Sequence, residues 1–127
     1  MKRWSFFDFI SERGENDIHR WLHGADVTNA ARAKINARIA TLRGFPQMPE
    51  QYISAYVGWP KLLELRIVSN GVQYRPLGFY GPERGQFTLV VGGIEKGRIP
   101  KRLLEVGDER RKIVMADARR IVPHDFS

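Results

Sequence analysis

The sequence predicts an α+β domain: a small, mostly antiparallel sheet, made of an N-terminal strand and a three-strand meander, with two helices near the N-terminus and one at the C-terminus. Three observations lead there. The stretch LLELRIVSNGVQYRPLGFY, residues 62–80, alternates apolar and polar residues around Asn70-Gly71, the strongest short hairpin signal. Two segments ahead of it carry apolar residues at helical spacing. A third such segment follows the last strand.

Arg3 to Ile10 is aromatic-rich and suits a strand, with Trp4 and Phe6 on one face. The Arg13-Gly14 step turns the chain. Asn16 can cap a short helix in which Ile18, Trp21 and Leu22 share a side and which Gly24 ends. A longer helix is predicted from Thr28 to Arg43, with Ala31, Ile35, Ile39 and Leu42 as its apolar stripe and Gly44 as its stop. Residues 45–61 read as an irregular loop, because Pro46, Pro49 and Pro60 argue against a regular element. The two arms of the hairpin follow. A third strand is predicted from Gln86 to Ile94 after the Gly- and Pro-rich YGPERG. Pro100 suits the first turn of a last helix, whose apolar side is Leu103, Val106, Ile113 and Val114 and which Gly107 weakens. The helices are expected on one face of the sheet.

At 127 residues the chain reads as one domain, 1–127. A chain of this size buries roughly two-thirds of its unfolded surface and needs no staple. It has no cysteine, which excludes disulfides and thiolate metal sites. The apolar run near the N-terminus is broken by Asp8 and Glu12, so neither a membrane span nor a signal peptide is expected, and the reading is cytoplasmic. Lys and Arg number 21 against 14 Asp and Glu, a net charge of +7. Such a surplus points to a polyanion or an acidic partner.

The Asn70-Gly71 turn pairs Ser69 with Val72. Leu63, Leu65, Ile67, Val72 and Tyr74 then share a core-facing side, and Glu64, Arg66, Val68, Gln73, Arg75 and Leu77 share the other. Arg66 thus lies opposite Arg75, with Cβ atoms roughly 5 Å apart. Like charges so placed are destabilising unless something compensates. Three explanations are open: Glu64 bridges the pair in a surface ion network, the turn is wider and the register different, or the pair awaits an anion whose oxygens two guanidiniums can fork. Lys96, Arg98, Lys101 and Arg102 lie at the exit of the third strand and can line the same groove.

LLELRI, NGVQYRPLGFY and FTLVVGGIEKGRIPK, in that order and spacing, resemble the RelE/HigB family of toxins, above all its phage-derived HigB-like branch. The resemblance covers about residues 3 to 115. Val91-Gly92-Gly93 stands where many members carry His-Gly-Phe, and Glu95 where they carry a lysine. The resemblance implies a RelE-like fold and the toxin of a type II toxin–antitoxin pair. Such a toxin is a ribosome-dependent mRNA endoribonuclease, partnered by an antitoxin, here expected to be a helix-turn-helix protein. It maps Arg66 and Arg75 onto the family's sheet arginines and Lys96 onto the lysine after the last strand. Two other functions remain open: a ParE-like poison of DNA gyrase, and an inactive binding module with the same fold.

Such cleavage has a 2′-hydroxyl attack the adjacent phosphate, which needs a base, charge stabilisation and an acid. Arg66, Arg75 and Lys96 are expected to hold the phosphate. Gln73, Arg98, Lys101 and Arg102 are expected to contact RNA. Glu64, His124 and Tyr80 are the acid–base candidates. His19 and His23 lie four apart on a predicted helix but lack a third ligand and read as surface or packing residues. No metal or cofactor is expected.

Overall fold

The computed structural model describes residues 3–93 and 98–127. In chain order the elements are β1 (Ser5–Phe9), α1 (Asp17–Leu22), α2 (Asn29–Leu42), β2 (Ile53–Tyr56), β3 (Trp59–Leu65), β4 (Ile67–Ser69), β5 (Val72–Tyr74), β6 (Leu77–Tyr80), β7 (Gln86–Val91), α3 (Lys101–Ala116) and β8 (Ile121–Pro123). Six strands form one sheet in the order β2-β3-β6-β7-β1-β8, and β4 pairs with β5 in a second, two-stranded sheet. Every pairing is antiparallel except β1 with β7. The architecture is the α+β arrangement that the sequence predicts.

Side-chain caps start the first two helices. Asn16 Oδ1 accepts from His19 N at 3.0 Å, and Thr28 Oγ1 accepts from Ala31 N at 3.0 Å, each satisfying an otherwise orphaned amide. The α2 stripe of Ala31, Ile35, Ile39 and Leu42 is fully buried. With Ile18 and Leu22 of α1 it packs on Phe6, Leu63, Leu65, Phe87 and Leu89.

The expectation that the helices share one face is corrected. Leu104 and Val114 of α3 join Leu62, Leu77, Phe79 and Val90, whose side chains leave the opposite face of the sheet. The sheet is therefore covered twice, and the side of the hairpin carrying Glu64 and Leu77 is itself a core face over part of its length. Gly107, which weakens α3 as a helix, is buried over this second core. A Cβ there would lie 3.5 Å from Val90 Cγ2 and 3.6 Å from Leu62 Cδ1, which is ordinary contact. Gly107→Ala is accordingly expected to raise stability by about 1 kcal/mol through helix propensity, read as a higher urea midpoint. A lower midpoint would mean that α3 needs a closer approach to the sheet.

Two further expectations change. The segment 45–61 is not wholly irregular, because Ile53–Tyr56 and the strand from Trp59 form a hairpin around Val57-Gly58. The prolines conceal it without preventing it. Pro46 and Pro49 precede β2. Pro60 falls in a bulge, where the register passes from Tyr56–Trp59 to Ala55–Leu63, so its missing N–H breaks no ladder bond. The C-terminal segment after α3 adds a strand, β8, to the outer side of β1, with Asp8 opposite Val122.

Among the described residues no helix is long and apolar enough to cross a membrane.

Candidate anion-binding cleft

Asn70 and Gly71 take φ of 50° and 77°, as the tight hairpin turn requires. Ser69 faces Val72, Ile67 faces Tyr74, Glu64 faces Leu77 and Leu63 faces Gly78. One pairing frame thus runs the whole length of the hairpin and sets Arg66 against Arg75. The register follows the turn, and the wider-turn explanation falls away. The ladder itself breaks at the two arginines. Arg66 N donates to Tyr52 O at 2.9 Å and Arg75 N to Gly93 O at 2.8 Å, while Pro76 has no N–H to offer. This break divides the hairpin into the β3–β6 pair and the small β4–β5 sheet.

The break frees both side chains to turn into a cleft of about 730 Å³, lined by Glu64, Arg66, Arg75, Arg98 and Lys101 together with Tyr56, Trp59 and the Ile99-Pro100 entry to α3. Arg66 is held from three sides. Its Nε donates to Glu64 Oε1 at 3.2 Å, its Nη1 to Glu50 O at 3.0 Å, and its Nη2 to Ser54 Oγ. A guanidinium has five N–H groups, so two remain for a ligand. Arg75 Nη2 donates to Gln73 Oε1 at 2.6 Å, which orients the second guanidinium from its exposed neighbour. Arg38 of α2 braces the same turn of chain, donating from Nη1 to Arg66 O at 3.0 Å.

Glu64 is not a surface residue. It is 7 % exposed, and its Oε2 is buried with no hydrogen-bond partner among the described residues. Among the described residues Glu64 is the one carboxylate that lines the cleft with four cations, so these residues give it a positive excess and one unused acceptor. The start of α3 reinforces this. Pro100 is its cap, with no side-chain hydrogen bond, and Pro100, Lys101 and Leu104 line the cleft, so the positive end of the helix dipole lies there.

The sequence-derived residues divide clearly. Glu64, Arg66, Arg75, Arg98 and Lys101 come together, with Gln73 behind Arg75. Arg102 is exposed on the first turn of α3 and does not line the cleft. Lys96 lies outside the described residues, as does the end of the predicted third strand at Ile94.

His124 does not join the cleft. It follows β8, four positions from β3 in the sheet order, or about 19 Å at the usual strand spacing. Its imidazole is fully buried, hydrogen-bonded through Nδ1 with Asp8 Oδ1 at 2.7 Å and through Nε2 with Asn36 Oδ1 at 2.8 Å. Asp8 Oδ2 accepts in turn from Asn16 Nδ2 at 3.0 Å. This network fastens the C-terminal tail to the core and has no route to the arginines.

Tyr80 is also elsewhere. Its ring packs 5.2 Å from that of Trp4, burial pushes its phenol up, and it borders a separate hollow with Met115 and Arg111. The histidine pair on α1 has ring centroids 4.3 Å apart, and desolvation, the neighbouring His19 charge and Arg32 hold His23 below the ordinary histidine value. Among the described residues no group of three or more His, Asp or Glu side chains could hold a metal ion.

Tyr56 and Trp59, which line the cleft, and Ser54, which holds Arg66, do not stand out in the sequence. They sit on the hairpin that the prolines concealed. The signal that was available is the Tyr-Val-Gly-Trp step, a turn flanked by aromatic residues of strand type.

The chain matches no protein-family profile, no curated protein and no solved structure.

Proposed function

We propose that the protein is the toxin of a type II toxin–antitoxin pair and acts as an mRNA endoribonuclease on the ribosome. The observation that carries this reading is the cleft that Arg66, Arg75, Arg98 and Lys101 line together with the carboxylate of Glu64. The resemblance of LLELRI, NGVQYRPLGFY and FTLVVGGIEKGRIPK to RelE/HigB toxins supplies the reaction class.

In this reading the phosphate of a single-stranded message lies on the two guanidiniums. Arg66 offers its remaining N–H groups from a fixed position and Arg75 closes from the opposite strand, so charge developing on the phosphorane meets donors already in place. Glu64 takes the proton of the attacking 2′-hydroxyl. The new bond joins O2′ to phosphorus, and the bond to O5′ breaks. A 2′,3′-cyclic phosphate and a 5′-hydroxyl result, the leaving oxygen taking up a proton. Of the three acid–base candidates, only Glu64 lines the cleft, which favours it as base over His124 and Tyr80.

Controlled expression in a bacterial host tests this. Growth arrest with fragmented mRNA is expected for the wild type, and both are expected to vanish with Arg75→Ala. A gyrase poison would instead arrest growth with intact mRNA and impaired supercoiling. A harmless wild type with intact mRNA would leave only a binding module.

A further inference from the structure

The anion-binding groups account for only one wall of the cleft. The other is aromatic. Tyr56 and Trp59 are cross-strand partners on either side of the Val57-Gly58 turn, and both line the cleft while remaining partly exposed. The Tyr56 ring is fixed from its far end, because its hydroxyl accepts a hydrogen bond from Ile99 N at 3.1 Å. Trp59 rests on the α3-side core and presents the rest of its indole to the opening. A catalytic phosphate site needs no such surface. Phosphate recognition is complete with the guanidiniums, the lysine and the helix start, and a partly exposed indole beside them leaves some apolar area in water.

We infer that the Trp59–Tyr56 wall is a stacking subsite for a nucleobase, so that the cleft takes one unpaired nucleotide of an RNA strand, phosphate on Arg66 and Arg75 and base on Trp59. The two walls match the two halves of a nucleotide, one anionic and one flat and aromatic. A cleft of about 730 Å³ has room for such a unit and not for a duplex. Stacking requires an exposed π-face, which paired and stacked bases withhold, so the subsite selects single strands. It accepts any base, because every base has such a face. The inference rests on the RNA reading of the same cleft and adds the element that grips the strand.

The test uses a fluorescein-labelled 2′-O-methyl hexaadenylate, which cannot be cleaved, and fluorescence anisotropy at low salt. The wild type is expected to bind this strand. Trp59→Ala is expected to weaken it about ten-fold or more, and Trp59→Phe to restore most of the loss. The restored binding of Trp59→Phe separates stacking from a folding defect. An abasic strand of equal length should bind the wild type as weakly as Trp59→Ala binds the intact one. A duplex should bind no better than the abasic strand. Equal binding of intact and abasic strands, or wild-type affinity in Trp59→Ala, overturns the subsite. So does a free mononucleotide that binds more tightly than the strand. Loss of base dependence with mRNA cleavage intact would remove the subsite alone. Base-dependent binding by a protein that leaves mRNA uncut would remove the nuclease reading alone.

Discussion

Asp8→Ala is expected to lower stability by about 1–3 kcal/mol, the cost of leaving a buried hydrogen-bonding partner unsatisfied. In that variant the His124 ring keeps Asn36 as a neighbour but loses its Asp8 partner, at a site where both Asp8 and the imidazole are closed to water. Urea denaturation reads the change. With a slope of about 1–3 kcal/mol per molar for a small protein, the midpoint should fall by roughly 1 M. His124→Ala should act similarly, because it strands the Asp8 carboxylate instead. A milder loss is expected for Asp8→Asn, which keeps a hydrogen-bonding group in place. None of these changes should alter affinity for an uncleavable RNA strand under conditions where the variant is folded. A His124→Ala protein with full stability and no nuclease activity would show that the histidine serves the reaction and not the tail.

The second large effect is expected at the arginines, and the two should differ. Arg75→Ala removes one donor from the developing phosphorane and is expected to cut the cleavage rate about 100- to 1,000-fold. Its effect on stability should be small. Arg66→Ala should lose at least as much activity and be destabilised as well, because Glu64, 7 % exposed, then keeps a buried carboxylate without its cation. Rate measurements on ribosome-bound mRNA, with urea midpoints for both variants, check the contrast. Equal stability of the two variants would mean that Glu64 does not depend on Arg66.

The part of this cleft that was legible in the sequence is the part governed by local chemistry. Asn70-Gly71 admits one tight turn, and the turn fixes a pairing frame that carries Arg66 opposite Arg75 without any long-range information. Asn16, Thr28 and the Ala31–Leu42 stripe are legible for the same reason, since caps and helical periodicity act within a few residues. What escaped depends on packing at a distance. The β2–β3 hairpin looked irregular because Pro60 counts against a strand until one knows that it occupies a bulge. With that hairpin hidden, Tyr56 and Trp59 had no place in the cleft.

The place of His124, away from the cleft, is hard to read from the sequence for a related reason. Three residues of β8, added beside β1, decide where the tail goes, and so short a strand leaves little pattern. A warning was present all the same. Asp8 shares its side of β1 with Phe6, a core-facing parity, and Asn36 interrupts the buried side of α2. A carboxylate and an amide on core-facing positions need a buried polar partner, and the chain supplies His124.

The like-charge pair that looked like a fault in the hairpin is thus placed at the break in its ladder, with one guanidinium braced by Glu64, Ser54 and the Glu50 carbonyl and the other oriented by Gln73. In the proposed function this arrangement holds a scissile phosphate. Purified protein added to ribosomes programmed with a defined mRNA tests it most directly, with the cleaved ends mapped and characterised. The expected result is a cut in the ribosome-bound message that leaves a 2′,3′-cyclic phosphate and that disappears with Arg75→Ala. Natively folded wild-type protein that leaves the message intact, or a cut of the same rate and position from Arg75→Ala, would contradict it.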